Sequence, residues 1–293
     1  MSDETQARRR VLIADDDAPT RHGVARLLEK AGFDVSEAAD GMAALSAIEQ
    51  KQYDLVFLDI WMPHLSGLEV LARIRTGTSR PKVIVMTSDS TSETLLRAVK
   101  EQAYDYLGKP FPPREAVEVA QRALSADQEP AIEVLSARPH WVELLIPCTR
   151  EAAERIQTFI MKLESDLPES VREKIASSFR ELLLNAVEWG GQFDPNRKVR
   201  IASVRSPRML MFRIADPGPG FSFSELSHAA VGHPGEPIAH MPVREERGIR
   251  AGGFGILMTK ASADELLYNE AQNEVMFIKY FDNPQAVPAK KQG

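Results

Sequence analysis

Two groups of residues in this chain have types and spacings suited to chemistry. In the first half, Asp15 with Asp16, Asp59, Thr87 and Lys109 each close a short apolar run. Three carboxylates brought together repel one another unless a cation lies among them, and oxygen-rich ligands favour Mg²⁺. In the second half, Glu181 and Asn185 are four apart on a helical pattern and project from one face. A carboxylate and a carboxamide stacked in this way can hold a water or a metal ion over a pocket. Further on, Asp216-Pro-Gly218-Pro-Gly220 and Gly252-Gly253-Phe-Gly255 are glycine-bearing turns that can bring backbone close to a nucleotide.

Each residue also has a plainer use. A strand-end Asp often caps the following helix, a Glu/Asn pair can be a solvated stripe, and Asp-Pro-Gly is an ordinary turn. Asp17 precedes Pro19 and a helical pattern, so it is read as a cap. Five suitable residues gathered at four strand ends are harder to explain as caps than as one site.

The elements that must position these residues follow from periodicity. Strand-like runs at Val11–Ala14, Asp34–Glu37, Leu55–Leu58, Lys82–Met86 and Tyr104–Leu107 alternate with helical patterns over 19–30, 42–50, 67–75, 92–102 and 114–124. This alternation predicts a doubly wound α/β domain over 10–124, a five-stranded parallel sheet with helices on both faces. Its functional residues should gather at the carboxyl ends of the strands. Residues 125–138 read as a linker, although the apolar Ile132–Leu135 fits either a helix extension or a contact with a domain.

The 139–284 region mixes strands (141–146, 199–204, 209–214, 265–268, 275–280) with helices capped at Thr149 and opened at Pro168, and predicts an α+β domain. Asn269–Asn273 makes its last hairpin turn. Residues 221–250 form a long irregular stretch that suits a lid, carrying Arg244, Arg247 and Arg250. His228, His233 and His240 match no zinc spacing.

The net charge of −6 at 293 residues argues against a general nucleic-acid binder. One cysteine, Cys148, fits a reducing compartment and a packing role. Neither a signal peptide nor an apolar run of membrane-spanning length is read, so the expected location is cytoplasmic, away from membranes.

The acidic set, Leu58-Asp-Ile-Trp-Met-Pro63 and Gly108-Lys-Pro-Phe111 closely resemble the response-regulator receiver domain, a flavodoxin-like fold. The resemblance implies that Asp59 is the nucleophile toward a phosphohistidine donor, supplied by a sensor histidine kinase or phosphotransfer protein. It also implies that Asp15, Asp16 and Asp59 hold Mg²⁺, that Lys109 pairs with the phosphate and that Thr87 hydrogen-bonds it. Tyr106 matches the aromatic switch position, and reads equally as a half-buried strand tyrosine.

The order Glu181/Asn185, Asp216–Gly220, Gly252–Gly255 resembles the GHKL-type (Bergerat) ATPase sandwich, and within it the anti-sigma-factor serine/threonine kinases. That resemblance implies ATP and Mg²⁺ as cofactors, with Asn185 ligating the metal and Asp216 accepting from the adenine amino group. Gly218 and Gly220 would shape the base turn, Gly252, Gly253 and Gly255 would cradle phosphates, and Glu181 would be the general base. Trp189 stands where the kinase branch usually carries His.

Two functions follow as expectations. One is a receiver-controlled serine/threonine kinase of the partner-switching kind, acting on a sigma factor or an anti-anti-sigma-type protein, with a homodimer possible. The other is a nucleotide-holding module that sequesters a partner without phosphorylating it. A DNA-binding output is not expected, since no third domain is left to carry it.

Overall fold

A computed structural model describes residues 8–75, 80–89, 91–125, 130–222 and 254–281. The chain divides into two compact units, one ending at Glu129 and the other beginning at Pro130.

In the first unit, β1 (Arg10–Ala14), β2 (Asp34–Ala38), β3 (Leu55–Asp59), β4 (Lys82–Thr87) and β5 (Asp105–Gly108) form one parallel sheet in the order β2-β1-β3-β4-β5. Helices α1 (Ala18–Lys30), α2 (Gly41–Gln50), α3 (Gly67–Ile74), α4 (Ser92–Lys100) and α5 (Pro113–Ser125) make the crossovers. β3 is buried along its whole length, as expected of a strand covered on both faces. On one side Val24, Leu28, Ala116 and Ala120 pack against Ile13, Phe57 and Ile84. On the other, Leu68, Leu71 and Ala98 cover Leu12, Val56 and Leu58. Each large side chain so buried contributes roughly 1.5–3 kcal/mol, which makes the sheet a firm base for its loops. The order reverses between β1 and β3, and that is where a crevice opens at the strands' carboxyl ends. Asp17 caps α1 by accepting from the Thr20 N–H at 2.9 Å, as read from the sequence.

The second unit is a six-stranded antiparallel sheet in the order β10-β11-β9-β8-β7-β6. Its strands are β6 (Glu133–Arg138), β7 (Trp141–Pro147), β8 (Lys198–Arg205), β9 (Met209–Ala215), β10 (Glu265–Tyr268) and β11 (Glu274–Tyr280). Helices α6 (Arg150–Leu163), α7 (Glu169–Asn185) and α8 (Gly255–Ser262) complete it. β9 alternates, burying Leu210, Phe212 and Ile214. Phe179 of α7 and Phe277 of β11 meet Phe212 with ring centroids 4.7 and 6.2 Å away.

Two local features differ from the sequence reading. Within the stretch 125–138 expected as linker, Glu133–Arg138 is the edge strand β6, paired with β7 from Glu133↔Leu145 to Arg138↔Trp141 and irregular between Val134 and Ser136. With a single partner strand and no fully buried residue, it lacks the apolar run that marks an inner strand. The helical run to Gly190 also changes character at Asn185: Ala186–Gly190 is a π-helical turn, closed by the Gly191 N–H donating to the Ala186 carbonyl at 2.8 Å. Among the described residues no helix is long and apolar enough to cross a membrane.

Candidate functional site

The acidic pocket lies at the β1/β3 crevice. Asp15 directly follows β1, Asp59 ends β3 and Lys109 directly follows β5; Asp15 and Asp59 are both buried. The Lys109 ammonium lies 2.7 Å from Asp15 Oδ2 and 2.8 Å from Asp59 Oδ2. Asp15 Oδ1 accepts from the Asp17 N–H at 3.0 Å, which fixes the rotation of that carboxylate. Burial pushes the Asp59 carboxyl up; Lys109 opposes the shift and Asp15 adds to it. Burial alone would lower the Lys109 ammonium, but the two carboxylates outweigh it and hold it above its ordinary value.

The donor set fits a divalent cation. Oxygens of Asp15, Asp16 and Asp59 all lie within 4.8 Å of one another, with Asp16 exposed at the mouth. Asp15 Oδ2 is buried and meets Lys109 without the angles of a hydrogen bond, so it keeps coordinating capacity.

Thr87 is buried at the end of β4, in register with Gly108 of β5. Its hydroxyl oxygen accepts from the Asp89 N–H at 3.0 Å, which leaves its own proton to donate elsewhere. The Tyr106 hydroxyl is 3.5 Å from the Asp89 carbonyl, and its ring packs on the α2–α3 core. The Asp89 carboxylate holds the start of α4, accepting from the Thr91 N–H at 2.9 Å and the Thr94 hydroxyl at 2.7 Å.

In the second unit one helical stretch touches both glycine turns. A Cβ on Gly255, at the start of α8, would fall 1.8 Å from Glu181 Oε1. A larger residue at 255 would therefore have to displace the Glu181 carboxylate from the start of α8. Asn185 follows one turn later at the end of α7. At the far end of the π turn, a Cβ on Gly190 would fall 2.2 Å from the Asp216 carboxyl carbon. Glu181 and Asn185 thus lie on α7, with Gly255 packed on Glu181 and Asp216 on Gly190 at the end of the π turn, a kind of turn frequently found at functional sites.

The Asp216 turn is held from three directions. Asp216 Oδ1 accepts from the Gly218 N–H at 2.7 Å, Arg197 Nη2 donates to the Pro217 carbonyl at 2.6 Å and Asn273 Nδ2 donates to the Gly218 carbonyl at 3.0 Å. Gly220, at φ +86°, leaves no room for a Cβ beside the Ala271 carbonyl. Burial pushes the Asp216 carboxyl up, against the pull of the Gly218 N–H and Arg197. Sequence reasoning missed Arg197 and Asn273, because their contacts cross about 20 and 55 positions. Cys148 is buried against Gly191, and burial pushes its thiol up to about 11. Trp189 is 49% exposed. Gly252, Gly253, the three lid arginines and the three histidines at 228, 233 and 240 lie outside the described residues.

A response regulator receiver domain model matches residues 11–121, and a histidine kinase-like ATPase domain model matches residues 146–279. The DNA-binding response regulator MtrA of Mycolicibacterium paratuberculosis is 33% identical over 185 residues, covering 62% of this chain and 80% of that protein. This chain belongs to the response-regulator family. The response regulator MprA of Mycobacterium avium is 36% identical over 144 residues, covering 48% of the chain and 62% of MprA. The solved receiver domain of the Francisella response regulator 1452 is 30% identical, covering 40% of this chain and 97% of its own, with a TM-score of 0.39. This response regulator therefore joins a flavodoxin-like receiver to a GHKL-type ATPase fold, and its receiver implies a phosphoryl donor such as a histidine kinase.

Proposed function

We propose that this response regulator is phosphorylated on Asp59 and thereby controls an ATP-dependent serine/threonine kinase output of the anti-sigma-factor, partner-switching kind. The observation that carries the reading is the pairing of two sites in one chain. Asp15, Asp59 and Lys109 converge in the receiver, and the Glu181 carboxylate stands at the start of α8 in the ATPase unit.

In the receiver, a carboxylate oxygen of Asp59 attacks the phosphorus of a phosphohistidine; the P–N bond breaks as the P–O bond forms, and the imidazole leaves with a proton. Mg²⁺ held by Asp15, Asp16 and Asp59 would neutralise charge on the transferring group. Lys109, already beside Asp59, follows the new phosphate as a point charge, and Thr87 turns its hydroxyl proton toward it. Tyr106 moves with Asp89, which Thr87 also holds.

In the ATPase unit, Asp216 would accept from the adenine amino group, Gly218 and Gly220 would shape that turn, and Gly252, Gly253 and Gly255 would accommodate the phosphates. ATP supplies the phosphoryl group and Asn185 would hold its Mg²⁺. Glu181 would draw the proton from a Ser or Thr hydroxyl of the target, a sigma factor or an anti-anti-sigma-type protein, as that oxygen bonds to the γ-phosphorus and ADP leaves. Phosphoryl transfer of this kind is mostly positioning and charge stabilisation, which fixed groups on one helix supply.

A second reading rests on Trp189. An indole cannot relay a proton as His does, which favours a module that holds nucleotide and captures a partner without phosphorylating it. Incubation of the chain with a candidate partner and Mg·ATP separates the two. Phosphoprotein that disappears with Asn185→Ala supports the kinase. Partner binding that survives Glu181→Gln, with no phosphoprotein from any form, supports the binding module.

A further inference from the structure

Beside the carboxyl end of β1 stands an arginine that neither site uses directly. Arg21, on the first turn of α1, has a side chain only 11% exposed. Its Nη1 donates to the Asp15 carbonyl at 2.6 Å and reaches toward the Asp16 carbonyl at 3.5 Å. Its Nε donates to Glu37 Oε2 at 3.1 Å, and the same oxygen lies 2.6 Å from His22 Nδ1. Glu37 belongs to β2, in register with Ile13 of β1.

A guanidinium beside a cation site is unfavourable by charge alone. Here Glu37 compensates that charge, and the planar fork ties two carbonyls of the acidic loop to the neighbouring strand. Asp15 is then fixed twice, through its carbonyl by Arg21 and through Oδ1 by the Asp17 N–H, leaving Oδ2 directed at Lys109 and the pocket.

We infer that Arg21, held and neutralised by Glu37, is a positioning residue that presets the Asp15–Asp16 loop for a divalent cation. The inference rests on the reading of Asp15, Asp16 and Asp59 as the cation site. Partners that orient metal ligands in this way are typically worth about 10–100-fold in metal affinity.

The test is calorimetric titration of MgCl₂ into the nucleotide-free full chain as wild type, R21A, R21K and E37Q, with thermal midpoints measured in chelator. R21A should weaken Mg²⁺ affinity by about tenfold or more. R21K should recover part of it, since an ammonium can serve a carbonyl but not the fork to Glu37. E37Q should also weaken Mg²⁺, because it leaves the guanidinium uncompensated next to the loop. The metal-free midpoints of R21K and E37Q should stay near that of the wild type, a pattern a purely structural role would not give. If R21A does not fold, R21K and E37Q carry the test. Variants that bind Mg²⁺ as tightly as the wild type overturn the role of Arg21. A wild-type chain that takes up no Mg²⁺ overturns the cation site itself.

Discussion

Gly190 lies directly on the carboxylate of Asp216, so that a single methyl group there would fall 2.2 Å from the carboxyl carbon. The contact ties the end of the π turn to the turn expected to read the base. Gly190→Ala should push Asp216 outward and weaken Mg·ATP binding by more than about tenfold, while overpacking costs about 1–3 kcal/mol of stability. Calorimetry with Mg·ATP, alongside a thermal melt, measures both. Unchanged affinity would mean that Asp216 does not face the nucleotide.

Lys109 competes for the same oxygens as a cation, since its ammonium touches both Asp15 and Asp59. Lys109→Ala should therefore bind Mg²⁺ about tenfold more tightly than the wild type. In chelator it should be destabilised by about 3–5 kcal/mol, because two buried carboxylates lose their counter-charge. Added Mg²⁺ should restore most of that loss in a thermal melt. Weaker Mg²⁺ binding in the variant would contradict this picture of the pocket.

Glu164 gives the second unit a pH dependence. It is buried at the end of α6, paired with Arg205 of β8, which also reaches Asp166 at 3.2 Å. Burial pushes its carboxyl from 4.5 up to about 7, against the opposing charge of Arg205. The folded chain thus binds this proton more tightly than the unfolded chain. The stabilisation is complete below 4.5 and is lost as the pH rises through about 7. Between about pH 5 and about pH 8 the wild type should lose a few degrees of thermal midpoint relative to Glu164→Gln, which has no proton to lose. Parallel curves for the two would show that Glu164 does not titrate in this range.

The receiver half was readable because its strands are marked twice. Val11–Ala14 and Leu55–Leu58 are unbroken apolar runs, as buried parallel strands require, and each ends in the carboxylate that the fold then brings to the crevice. β6 was not readable. An edge strand with one partner keeps polar residues such as Glu133 and Arg138 at its ends, and its pairing is decided by β7. The π turn was equally hidden, because a shift of backbone hydrogen bonding from Asn185 to Gly191 leaves no mark on side-chain types. Glu181, Asn185 and Asp216 could be picked out by type and spacing. Arg197, Asn273 and Arg21 could not, because each acts by donating to a backbone carbonyl, which any residue can offer.

In the proposed function, the state of Asp59 controls the ATPase unit. The most direct test is Mg·ATP affinity of the full chain by calorimetry, with and without beryllofluoride as a phosphoryl mimic on Asp59. The expected result is saturable Mg·ATP binding whose affinity shifts about fivefold or more when the mimic is present, with the shift abolished by Asp59→Asn. Equal affinity with and without the mimic would contradict control of the nucleotide site by the receiver, and absence of any Mg·ATP binding would remove the kinase reading altogether.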